Sequence, residues 1–287
     1  MTTTIDQGFK SLSSNLEITD LQESGVSTRQ KSIREVMEAG LTVLDSFLGG
    51  SYRRNTMIAP LSEADVDIFV VLSAKHFEVD GQLALLNKVK AVLRKTYTKT
   101  PEISANGQAV TIVFTDFRVD VVPTFNRKGG GYLIPDSQIG RWIGTDPTKH
   151  VELWTAANKQ HDGDLVPLIK MLKGWNKSRN LLRSFHLECL ALSVFNNVTI
   201  TNSPSGVRYF FDKAREKIKF KLPDPAGYSD DVAAHVSKQT EIDAIVKRLD
   251  WAYERSKEAE ALAAKGDMPK AFEKWSLVFK DYFPAYR

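Results

Sequence analysis

Residues 49–72 read GGSYRRNTMIAPLSEADVDIFVVL, and this stretch decides the fold. Its last seven residues, VDIFVVL, are β-branched, aromatic or leucine apart from Asp67, and read as a buried strand. Asp65 and Asp67 stand at the mouth of that strand. Side chains two apart on a strand leave the same face, so two carboxylates lie side by side where mutual repulsion and burial both oppose them. A divalent cation removes the repulsion, and hard carboxylate oxygens suit Mg²⁺. Gly50-Ser51 precedes Asp65 by thirteen intervening residues. A glycine lets backbone approach closely, and the N–H groups of such a turn, with the Ser51 hydroxyl, can hold phosphate oxygens.

A third acid, Asp120, sits among valines in FRVDVVP. The runs 109–114 (AVTIVF) and 117–122 (FRVDVV) flank a short Thr115-Asp116 link and read as a hairpin. If the second of these strands lies beside 66–72, three carboxylates converge. Such a trio can hold two metal ions about 3.5–4 Å apart, the arrangement used for in-line phosphoryl and nucleotidyl displacement. Each part has a plainer reading by itself: Asp65 as the start of a strand, Gly49-Gly50 as the stop of a helix. The joint spacing is what is specific.

Outward from this centre, Ile33, Val36, Met37, Leu41, Leu44 and Leu48 recur at helical spacing, which predicts one helix over 28–48 ending at Gly49-Gly50. Residues 79–95 predict a second helix, closed by basic residues. Residues 1–27 are polar and weakly periodic, and read as a lightly tethered N-terminal arm. A glycine-rich loop at 128–132 breaks the pattern, and beyond Thr145 only helices are expected: 145–160, 164–177, 184–199, 204–220, 238–264 and 268–282. The fold class is therefore α+β: a lobe over 28–150 built on a small mixed sheet, followed by a helical lobe over 151–287.

The bulk properties narrow the function. The chain has 287 residues, 42% hydrophobic and 26% charged, an ordinary globular balance. One cysteine, Cys189, excludes a disulfide framework and a cysteine-rich zinc site. No run of eighteen apolar residues occurs, and MTTTIDQGFKSLSSN lacks the apolar core of a signal peptide, so a soluble protein of a reducing cytoplasm, with no membrane partner, is expected. The net charge of +4 does not announce a nucleic-acid binder. Residues 1–150 are balanced, with 17 basic and 17 acidic side chains, whereas 162–221 carry 11 basic against 5 acidic. That surplus suits either an anionic ligand or a solvated helical surface. His186 and Glu188 in HLEC lack the Pro-Cys-x-x-Cys that a zinc deaminase needs, and no Walker A, Gly-x-Ser-x-Gly or kinase motif set is present.

With GSYRRNTMIAP, EADVDIFVVL, FRVDVVP, GGGYLIPD and PLIKMLKGWN in view, the chain resembles the polymerase-β-like nucleotidyltransferase superfamily. Within it, the wording is similar to the bacterial cyclic-oligonucleotide synthases, relatives of cyclic GMP-AMP synthase and oligoadenylate synthase that act in anti-phage signalling. The resemblance covers roughly residues 28–283 and is strongest over 49–188. It implies that 28–150 is the catalytic lobe and that 151–287 closes a nucleotide cleft. It implies that Asp65 and Asp67 bind two Mg²⁺ ions (Mn²⁺ can substitute), and that Asp120 binds the ion that activates the attacking ribose hydroxyl. Gly50-Ser51 would contact the triphosphate, and Lys173 and Ser184 would grip its phosphates.

The residues themselves leave those last two assignments open. Lys173 lies at the edge of an apolar stripe of Leu165, Leu168, Leu172 and Trp175, as either a cleft lysine with a packed stem or a surface lysine. Ser184 is either a phosphate ligand or the cap of the apolar helix that follows. Phe125, Tyr132 and Tyr228 are candidates for stacking on a base or for ordinary packing.

The activity implied is the joining of nucleoside triphosphates, ATP among them, into a cyclic di- or trinucleotide second messenger with release of pyrophosphate. Regulatory or effector proteins of a defence system would be its partners, and nucleic acid would not be required. The rivals are a nucleotidyltransferase acting on an RNA or protein acceptor, and an inactive nucleotide sensor on the same fold.

Overall fold

The computed structural model describes residues 2–287, which divide into two compact units: Ile18–Glu152, and Leu153–Arg287 together with the chain up to Glu17. No helix among the described residues is long and apolar enough to cross a membrane.

The expected arm over 1–27 is instead helical. Helix α1 (Ile5–Leu16) begins at a Thr4–Gln7 capping box, and α2 (Asp20–Glu38) at a matching Thr19–Gln22 box. The polar composition hides three apolar residues at helical spacing, Phe9, Leu12 and Leu16, all of which are buried.

A second correction concerns 28–48. The helix stops at Glu38 and the chain turns at Gly40, where a Cβ would run into Val92. Residues Val43–Leu48 then form strand β1. Leu44, counted among the helical positions, is 54% exposed. Pairing with a neighbouring strand has overridden a local 3.6-residue pattern.

The one-turn helix α3 (Gly50–Arg53) follows, then β2 (Asp65–Leu72), α4 (Gln82–Thr96), β3 (Glu102–Asn106), β4 (Ala109–Val113), β5 (Arg118–Asn126), β6 (Tyr132–Asp136) and β7 (Arg141–Thr145). The sheet runs β1-β2-β5-β4-β3, with β6 on β5 and β7 on β6. Among the described residues only β2 and β5 pair in parallel; the other ladders are antiparallel. Strands β3, β6 and β7 were not expected from the sequence. The last two are formed by the segments either side of a turn near Gly140, beyond the glycine-rich loop.

Strand alternation sorts the faces. Val66, Ile68 and Val70 of β2, Val110 and Ile112 of β4, and Val119 and Val121 of β5 are buried with Val26, Ile33 and Met37 of α2 and Leu85, Leu86, Val89 and Leu93 of α4 in one core. The intervening residues, Asp65, Asp67 and Asp120 among them, point to the other face.

The second unit is helical: α1 with α6 (Leu165–Lys177), α7 (Ser184–Phe195), α8 (Ser203–Lys217), α9 (Gln239–Ala264) and α10 (Met268–Phe279), while α5 (Pro147–Gln160) spans the boundary. Helix α1 packs on α6 and α10, with the Phe9 ring edge-on to Trp275 at 4.8 Å. Trp154, Trp175, Phe210, Phe211 and Phe272 are fully buried in this unit.

Candidate active site

The site is built where β1 hands over to β2. The Gly49 N–H donates to the Asp67 carbonyl (2.9 Å), drawing the turn across β2. A Cβ at Gly49 would strike the Phe69 ring, and one at Gly50, where φ is +55°, would strike the Asp67 carboxylate. Both glycines are therefore demanded by close approach, and Gly50 also by its left-handed backbone. The pair does not end a helix, as the sequence suggested; it joins a strand to α3. The Ser51 carbonyl accepts from the N–H groups of Thr56 (2.9 Å) and Met57 (3.1 Å), which pins the loop that carries the half-buried Ser51.

Strands β2 and β5 run side by side with Asp67 opposite Asp120 and Asp65 opposite Arg118. Neighbouring strands lie about 4.8 Å apart, so Asp67 and Asp120 are adjacent carboxylates on one face. Asp120 is gripped from β4, where its cross-strand partner Thr111 donates from Oγ1 to its Oδ1 at 2.6 Å. Burial raises the proton affinity of Asp120, and the negative charge of Asp65 adds to that; the Thr111 hydrogen bond and the Arg118 charge oppose it. Asp65 is more exposed, and its Oδ1 forms an ion pair with Arg118, 2.8 Å from Nε.

Thus Gly50, Asp65, Asp67 and Asp120 occupy neighbouring positions on one sheet face. The side chains are nevertheless not gathered as a metal site: among the described residues no group of three or more His, Cys, Asp or Glu could hold a metal ion. The donor chemistry and the register suit a hard divalent cation, but Asp65 is turned onto Arg118. Thr111 and Arg118 were missed by sequence reasoning. Arg118 had a signal, since it sits two residues before Asp120 and so on the same strand face; Thr111 had none until β4 was paired with β5.

Lys173 and Ser184 belong to the helical unit. Lys173 is not a surface lysine: it is buried on α6, with Nζ donating to Oε1 of the fully buried Glu188 on α7 at 3.1 Å. Ser184 does not cap α7, because the N-cap residue is Arg183; Ser184 is the exposed first residue of that helix, one turn before Glu188. Phe125 is buried between Phe77 and Trp142, which excludes it from stacking on a base. Tyr132 is half-buried against Phe47, and Tyr228 is half-buried with its N–H donating to Asp224. His186 and Cys189 are buried on α7.

A family model described as the Second Messenger Oligonucleotide or Dinucleotide Synthetase domain matches residues 1–158. A cyclic AMP-AMP-AMP synthase of Acinetobacter sp. (strain ATCC 27244 / 9458) is 29% identical over 206 residues, covering 67% of this chain and 59% of that protein's length. A probable cyclic nucleotide synthase of Bacillus cereus (strain VD146) is 28% identical over 275 residues, covering 83% of this chain and 81% of the relative. In fold, the chain is similar to CdnC of E. coli MS115-1, solved with ATP, with a TM-score of 0.79 at 17% identity over 98% of this chain and 99% of that one.

Proposed function

The chain belongs to the family of second messenger oligonucleotide or dinucleotide synthetases, and we propose that it joins nucleoside triphosphates into a cyclic di- or trinucleotide. The observation that carries this reading is the register that sets Asp67 beside Asp120, with Asp65 on the same face and Gly50 against the Asp67 carboxylate.

In each step a ribose hydroxyl attacks an α-phosphorus, forming one P–O bond while the bond to pyrophosphate breaks. Two Mg²⁺ ions, or Mn²⁺ in their place, would supply charge neutralisation and activation of the hydroxyl. Asp65 and Asp67 would hold both ions, and Asp120 the one on the acceptor side. Thr111 fixes the direction of Asp120 through its hydrogen bond. The Gly50-Ser51 turn offers backbone N–H groups and a hydroxyl to the phosphate oxygens, donors aimed where negative charge accumulates. The proposed setting is anti-phage signalling in the cytoplasm, with regulatory or effector proteins as partners and ATP among the substrates.

The test is to incubate the purified chain with all four ribonucleoside triphosphates and Mg²⁺ or Mn²⁺, treat with phosphatase, and identify surviving products by mass spectrometry. A phosphatase-resistant oligonucleotide is expected, absent from the Asp67→Asn variant. Equal product from that variant would overturn the assignment of the acids.

A further inference from the structure

Asp65, Asp67 and Asp120 stand on one face, within two residues of one another along adjacent strands. Three carboxylates so placed repel one another and need a cation. The one that meets Asp65 in this structure is Arg118, its register partner on β5, whose Nε lies 2.8 Å from Asp65 Oδ1. Asp65 is thus paired across the strands to Arg118.

The strength of this pair matters. Asp65 and Arg118 side chains are 50% and 45% exposed, so water and salt screen them and the pair is weak. That suffices to set the direction of one carboxylate. It is too little to keep a divalent cation from a site with two further acids.

We propose that Arg118 competes with the divalent cation for Asp65: it holds the acid in the metal-free protein and releases it as the cation binds. The proposal rests on the reading that these acids hold metal. Arg118 is thus a positioning residue whose removal tightens metal binding rather than weakening it.

The experiment is Mn²⁺ binding to the full chain without nucleotide, read from the free-ion signal in electron paramagnetic resonance. Wild type, Arg118→Gln, Asp65→Asn and the double variant are compared, each checked for an unchanged thermal transition. Arg118→Gln is expected to lower the Mn²⁺ Kd two- to fivefold, Asp65→Asn to raise it. In the Asp65→Asn background, Arg118→Gln should then have little further effect, because there is no carboxylate left to release. An unchanged or raised Kd in Arg118→Gln overturns the competition. So does equal tightening in both backgrounds, which would mean a general field and not this pair. Undiminished Mn²⁺ binding by Asp65→Asn would instead overturn the metal reading beneath it.

Discussion

Glu188→Gln is the sharpest perturbation of the helical unit. Glu188 is 0% exposed and its partner Lys173 has a side chain 7% exposed, with 3.1 Å between Oε1 and Nζ. Glutamine keeps the shape and some hydrogen bonding but removes the negative charge that faces the buried Lys173 ammonium. Breaking a buried pair from one side costs about 3–5 kcal/mol, because the remaining charge keeps its desolvation penalty. With a urea slope of roughly 2 kcal/mol per molar, the midpoint of the helical unit should fall by about 2 M. Tryptophan fluorescence reports it, since Trp154, Trp175 and Trp275 are all buried in this unit. The pair Lys173→Met with Glu188→Leu removes both charges and should recover at least half of that loss. A single variant within 0.5 M of wild type, or a double variant no better than the single, would refute the reasoning.

Two further outcomes are expected. Gly50→Ala forces a side chain into left-handed backbone and onto the Asp67 carboxylate, so cyclic product formation should fall at least tenfold while α4 and the core beneath stay folded by circular dichroism; wild-type turnover would contradict the role of that approach. His186 is buried against His235, its ring centroid 5.2 Å away, and burial, with the His235 charge adding and Asp231 opposing, pushes its pKa from 6.5 down to about 4. Above pH 6.5 the ring is neutral in folded and unfolded chains alike. Between 6.5 and about 4 only the unfolded chain takes up the proton, so stability falls as pH drops, by about 3 kcal/mol at most. Urea midpoints measured from pH 7 to 4 should show a smaller drop in His186→Gln than in wild type.

The strand carrying Asp65 and Asp67, the hairpin carrying Asp120, and the six helices after Thr145 were legible because each has a local signature: runs of β-branched and apolar residues for the strands, a 3.6-residue period for the helices. The common face of Asp65 and Asp67 follows from spacing alone. The same local logic misread 43–48, where apolar positions fit a helix, and hid α1 behind serines and other polar residues.

What the chain's wording determined by itself is therefore the chemistry on offer: a glycine-serine turn, two strand acids and a third acid on another strand. Tertiary structure decided how these meet. The parallel register of β2 and β5 puts Asp67 against Asp120 and Asp65 against Arg118, and packing of α6 on α7 turns Lys173 onto Glu188. Strand register and helix packing join residues beyond the reach of any local period, so no such period encodes them. Shifting β5 by one residue would send Asp120 to the opposite face and leave Asp67 without its neighbour.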